Sequence, residues 1–134
     1  MQEQSLVSLK EEMDLVDSYI FLLQMRFGDN LKICKNVDEQ ASVKIPPLSI
    51  QLLIENAIKH NVISSAFPLS IFVDYQSDSK SLLVRNSLNL RPNSAGTGIG
   101  LANLNQRFKL LTHREIEIKQ GEEFCVVLPL IPWR

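Results

Sequence analysis

Apolar residues recur at spacings of three and four from about Ser5 to Phe27, namely Leu6, Leu9, Met13, Val16, Ile20, Leu23 and Phe27, which predicts one long helix. A second apolar edge carries Leu15, Tyr19 and Leu22, so either both stripes join the core or one meets a partner helix. Gly28-Asp29-Asn30 supplies the stop. Leu31–Val37 alternates as a strand, and Ile45-Pro46-Pro47 breaks the backbone before a second helix from Leu48 to about Val62. Leu69–Tyr75 and Ser81–Val84 read as a hairpin turning through Ser77-Asp78-Ser79. A loop rich in Asn, Ser, Pro and Gly follows over 86–97, then a helix from Ile99 to Leu111. Glu115–Lys119 and Phe124–Leu128 close the chain as a hairpin around Gly121, leaving Pro129–Arg134 as a tail. This order predicts an α/β (α+β) two-layer sandwich, with one mixed sheet of about five strands and about three helices on one face.

Composition narrows the class without altering that picture. The 134 residues suit one domain, and 45% hydrophobic with 22% charged residues is the balance of a globular protein. A net charge of -1, from 14 basic and 15 acidic residues, offers no basic field for nucleic acid. Any acidic ligand must be held by a local site. Cys34 and Cys125 lack metal-ligand spacing and fall in strand-like stretches, which predicts buried free thiols and a reducing, cytoplasmic setting. No apolar run approaches the ~20 residues of a membrane span, so no membrane contact is expected of these residues.

Three stretches carry candidate chemistry. Gln51 to Asn61 clusters Glu55, Asn56, Lys59 and His60 within one and a half turns of an otherwise apolar helix, where each buried polar group needs a partner; a plain solvent-facing stripe is the alternative. Gly96-Thr97-Gly98-Ile99-Gly100-Leu101 runs straight into a helix, leaving backbone N–H groups free to meet phosphate oxygens, although an ordinary glycine turn would read the same. No Gly-Lys-Ser/Thr follows, so this is not a P-loop. Leu83-Val84-Arg85-Asn86-Ser87 ends a strand on polar residues.

In this order the stretches resemble a known superfamily. Pro46-Pro47-x-x-x-Gln51-x-x-x-Glu55-Asn56-Ala57-x-Lys59-His60 resembles the N box of the GHKL (Bergerat) ATPases, and Gly96 to Leu101 with Asn103, Leu104 and Arg107 resembles their second glycine box. Glu12, Tyr19, Gln24, Arg26 and Phe27 are similar to the lead-in helix of LytS-type sensor histidine kinases. The resemblance implies a Bergerat fold binding ATP and Mg²⁺ between the N-box helix and the glycine loop. Asn56 would coordinate Mg²⁺, Glu55 would be the polarising base, and Lys59 and His60 would approach the phosphates. Gly96, Thr97, Gly98, Ile99, Gly100 and Leu101 would close over the phosphate chain, with Asn103 and Arg107 holding that segment.

The family's first glycine box, Asp-x-Gly-x-Gly, aligns with Asn86-Ser87-Leu88-Asn89-Leu90: its adenine-binding aspartate is Asn86 and both glycines are replaced. Two readings follow. One is the catalytic domain of a two-component protein-histidine kinase; the other is a degenerate GHKL module that docks proteins with weak or no nucleotide binding. The resemblance also implies a phosphoacceptor histidine on an upstream dimerisation helix, a homodimeric parent anchored in a bacterial inner membrane, and a response regulator as partner. Only His60 and His113 are present here, so the chain alone is expected not to phosphorylate itself.

Overall fold

A computed structural model describes residues 6–92 and 98–133. The chain enters through a two-residue strand, β1 (Val7–Ser8), and Ser8 then caps helix α1 (Leu9–Phe27). Its hydroxyl accepts from Glu11 N–H at 3.1 Å while the Glu11 carboxylate accepts from Ser8 N–H at 3.0 Å, a reciprocal capping box. The helix therefore begins later than its heptad rhythm predicts. Leu9, Met13, Val16 and Leu23 are buried; on the second edge Tyr19 is half-buried, whereas Leu15 and Leu22 are exposed together with Phe21 and Met25. Gly28, with φ of 57°, ends α1 in a conformation that glycine adopts without a Cβ penalty.

Strands β2 (Leu31–Asn36) and β3 (Val43–Ile45) lead to helix α2 (Ser49–His60). The hairpin β4 (Leu69–Gln76) and β5 (Ser81–Ser87) precedes helix α3 (Gly98–Thr112), and β6 (Glu117–Gln120), β7 (Glu123–Pro129) and β8 (Ile131–Pro132) complete the chain. The main sheet has the order β2-β4-β5-β7-β6; β2 and β4 run parallel and the other neighbours antiparallel. Three helices with this mixed sheet of five strands make the α/β sandwich that the pattern predicts.

Alternate residues of the strands are buried, including Ile71 and Val73 on β4, Leu82 and Val84 on β5, and Val126 and Leu128 on β7. With Phe108 and Leu104 of α3, Ile50 and Ile54 of α2 and Met13 of α1, they form one core. The opposite sheet face carries Phe72, Arg85 and Cys125 in register. Arg85 sits 4.4 Å over the Phe72 ring and pairs with Glu123 at 3.1 Å and Asp74 at 3.5 Å.

Two expectations are corrected. The cysteines are not buried: Cys34 is exposed and Cys125 half-buried, because strand parity puts both on the outer face, where Cys34 pairs with Phe72 and Cys125 with Arg85. Of the expected tail 129–134, the described residues 129–133 do not trail off; Arg134 lies outside the described residues. β8 joins a second small sheet of order β1-β3-β8, Trp133 N–H donates to the Ser42 carbonyl, and Lys44 lies 5.0 Å over the Trp133 ring.

Candidate functional site

Helix α2 carries most of the candidate polar groups, and each of its ends is tied to another motif. At its N-terminus, Arg107 of α3 donates to the Pro47 carbonyl. At its C-terminus the segment after β5 is laced to it: Arg91 N–H reaches the His60 carbonyl at 2.9 Å, and Val62 N–H reaches the Asn89 carbonyl at 2.8 Å. The glycine-led helix, the N-box helix and the end of β5 are thereby fastened into one unit.

Asn61 is the residue in this unit that sequence reasoning leaves without a role. It is 2% exposed; its side-chain amide donates to the Ala57 carbonyl at 2.9 Å and its side-chain oxygen accepts from Asn89 N–H at 2.7 Å. Its backbone carbonyl accepts from Arg91 Nε at 2.9 Å. An amide just beyond the last buried turn of a helix was the available signal, since it can satisfy the orphan carbonyls there.

Along α2, Asn56 is half-buried, Glu55 and Lys59 are exposed, and His60 is 7% exposed. Burial first, then the neighbouring Lys59 ammonium, pulls the His60 imidazole below its ordinary value of 6.5. At pH 7 the neutral imidazole therefore predominates, a hydrogen-bonding group rather than a charge. The Glu55 carboxylate accepts from Gln51 Nε2 at 3.3 Å, and the Tyr19 phenol of α1 lies near enough to feel its charge. Burial, then the Glu55 charge, holds the Tyr19 phenol above its ordinary range.

Asn86 ends the covered row that begins with Leu82 and Val84, and is 6% exposed. Its side-chain N–H₂ donates to the Ser87 carbonyl at 2.7 Å. On α3, Gly98, Ile99 and Gly100 form the first turn, Leu101 is buried in the core and Asn103 is exposed. A Cβ added at Gly100 would meet nothing within 4 Å, so open space faces that turn. Gly96 and Thr97 lie outside the described residues. Arg107, four residues beyond Asn103 on α3, donates to the Pro47 carbonyl at the start of α2.

The donor set bears on the metal that the resemblance implies. Among the described residues no three His, Cys, Asp or Glu side chains gather as a cage. Mg²⁺ seldom needs one, because it keeps waters and phosphate oxygens and takes only one or two protein oxygens; the half-buried Asn56 amide fits that minimal role.

Comparison with known proteins gives a consistent outcome. No family model matches the chain. It is 29% identical over 149 positions to the sensor protein LytS of Bacillus subtilis, covering 95% of this chain and 25% of that protein. It is also 29% identical over 147 positions to the sensor histidine kinase YpdA of Escherichia coli, covering 96% of this chain and 26% of that protein. The chain therefore spans about a quarter of the length of these relatives. Among solved structures, a nucleotide-free catalytic domain of the histidine kinase ThkA superposes with a TM-score of 0.68 at 18% identity, covering 98% of each chain. Full-length ShkA in complex with AMPPNP superposes with a TM-score of 0.56 at 14% identity over 98% of this chain and 32% of that one. The fold is that of histidine kinase catalytic domains.

Proposed function

We propose that this chain, whose relatives include LytS-type sensor histidine kinases, is the ATP-binding catalytic domain of a two-component kinase that passes the γ-phosphoryl group to a histidine outside it. The observation that carries this reading is the double fastening of α2, to α3 through Arg107 and Pro47 and to the segment after β5 through Asn61. That fastening gathers the three motifs whose order resembles the GHKL boxes. Phosphoryl transfer asks a protein mainly for positioning and for neutralisation of charge, which polar groups on one rigid helix can supply.

In this reading the Asn56 side-chain oxygen holds Mg²⁺, which when bound neutralises phosphate charge. Lys59 supplies a cation and neutral His60 a hydrogen bond to the phosphate chain, while Glu55 acts as the polarising base. The Gly96–Leu101 backbone lies against the phosphates, with Asn103 and Arg107 as its supports. Asn86 accepts from the adenine amine through its amide oxygen. The phosphoacceptor helix, the dimer and the response regulator belong to the parent protein, as does any membrane anchor; among the described residues no helix is long and apolar enough to cross a membrane.

Isothermal titration with AMPPNP, with and without Mg²⁺, tests the proposal. Binding should require Mg²⁺, and Asn56→Ala should weaken it by at least roughly tenfold, about 1.4 kcal/mol. γ-Labelled ATP should leave no label on the isolated chain. Undetectable binding at millimolar nucleotide would return the chain to the second reading, a docking module of the same fold.

A further inference from the structure

We propose that helix α1 positions the nucleotide site through two side chains, Glu12 and Tyr19, neither of which would touch nucleotide. The inference rests on the nucleotide-binding reading above.

The first turn of α2 lacks a cap of its own. Its N-cap is Leu48, whose side chain offers no acceptor, and the Ser49 hydroxyl donates to the Pro46 carbonyl at 2.7 Å instead of capping. The missing acceptor comes from α1. Glu12 Oε1 accepts from Leu48 N–H at 2.9 Å and Oε2 from Ile50 N–H at 3.1 Å, across 36 and 38 residues of chain. A carboxylate that engages two amides with two oxygens fixes the rotation of the helix end as well as its distance. Two turns further along α1, the half-buried Tyr19 phenol lies beside Glu55 in the middle of α2, near enough to feel its charge. The two-amide grip of Glu12, with the Tyr19 phenol beside Glu55 further along, ties the tilt of α2 to α1.

That tilt bears directly on Asn56. It lies six residues beyond Ile50, about 9 Å along the axis at ~1.5 Å per residue. A tilt of about 6° therefore moves it by ~1 Å, a displacement that can cost orders of magnitude where geometry governs the chemistry.

Stability alone does not account for Glu12. It is 0% exposed, and burial raises its pKa above the ordinary value in spite of three backbone amides and the Arg107 charge that favour the ionised form. Burial that disfavours the charge while two α2 amides are aimed at its oxygens marks a group whose geometry is specified closely.

The test uses the full 134-residue chain. Glu12→Gln keeps the size but turns one acceptor into a donor facing amide N–H groups; Tyr19→Phe removes only the hydroxyl. For each, Mg-AMPPNP affinity, melting temperature and the Asn56 side-chain amide resonance are measured. Glu12→Gln should melt lower and, at a temperature where it is fully folded, bind at least about tenfold more weakly; Tyr19→Phe should bind about threefold more weakly with little change in melting, and both should displace the Asn56 resonance. Wild-type affinity in both variants, or an Asn56 resonance unmoved in folded Glu12→Gln, overturns the proposal. If Glu12→Gln fails to fold, Tyr19→Phe decides alone. If the wild type itself binds no nucleotide, the nucleotide reading fails, and the Asn56 resonance judges the positioning: displaced supports it, unmoved sinks it.

Discussion

Asn86, which the proposed reading sets against the adenine, is held by its own neighbour in the chain. Its side-chain N–H₂ donates to the Ser87 carbonyl at 2.7 Å, a bond that a carboxylate could not make. Asn86→Asp therefore has two opposed effects. In the free chain it places a charge at a 6% exposed position against a carbonyl oxygen, which should lower stability by about 1–3 kcal/mol. With nucleotide bound, a carboxylate accepts from the adenine amine with charge assistance, a gain of about 1 kcal/mol or roughly fivefold in affinity. Thermal melts and AMPPNP titrations should consequently move in opposite directions. A variant that melts lower and binds no better would remove Asn86 from the adenine contact. The same position exposes the reach of sequence reasoning. That Asn86 replaces an aspartate is legible from the aligned motif, whereas its partner, the very next carbonyl, depends on a backbone path that no spacing discloses.

At the scale of elements, the main helices and the five strands of the large sheet were legible because each carries enough residues for a period to show. Strands β1, β3 and β8 were not. Each has two or three residues, and their pairings join Val7 to Ile45 and Ile131 to Lys44, so the signal is non-local. The start of α2 was legible to within a residue, but its capping was not, for a similar reason. Pro47 predicts a helix beginning nearby, but the acceptor for its amides sits on another helix, and Leu48 takes a left-handed φ of 67° to present them. A leucine in that region is strained, by about 1 kcal/mol. Leu48→Gly releases the strain while loosening the unfolded chain, so its stability should lie within about 1 kcal/mol of wild type. Leu48→Val tolerates the conformation far less and should cost about 1–2 kcal/mol more than Leu48→Gly. Urea midpoints compare the two directly. Equal stability for the valine and glycine variants would mean that α2 starts in an ordinary conformation.

For the whole molecule, Glu12 and His60 set opposing responses to pH from the two ends of α2. Arg107 is the charge facing Glu12 and Lys59 the one facing His60. The Glu12 carboxyl has its folded pKa above the ordinary 4.5, so the folded state holds that proton more tightly than the unfolded chain. Its contribution is full below 4.5 and is lost as pH rises through the folded value. His60 is the reverse, with a folded pKa below 6.5: the unfolded chain protonates first as pH falls. Its contribution is full above 6.5 and is lost as pH drops through the folded value. The Glu12 slope starts at 4.5 and falls as pH rises, while the His60 slope ends at 6.5 and climbs towards it, so the two act with opposite sign. Removing one should expose its opposite. Relative to wild type, Glu12→Gln should show stability that climbs more steeply with pH up to about 6.5, the His60 contribution uncovered. His60→Gln should show stability that declines more steeply above 4.5, the Glu12 contribution uncovered. Urea unfolding at half-unit pH steps, with each variant subtracted from wild type, cancels the surface carboxylates common to all three proteins. Difference curves that are flat for both variants would mean that neither buried group titrates differently in the folded chain.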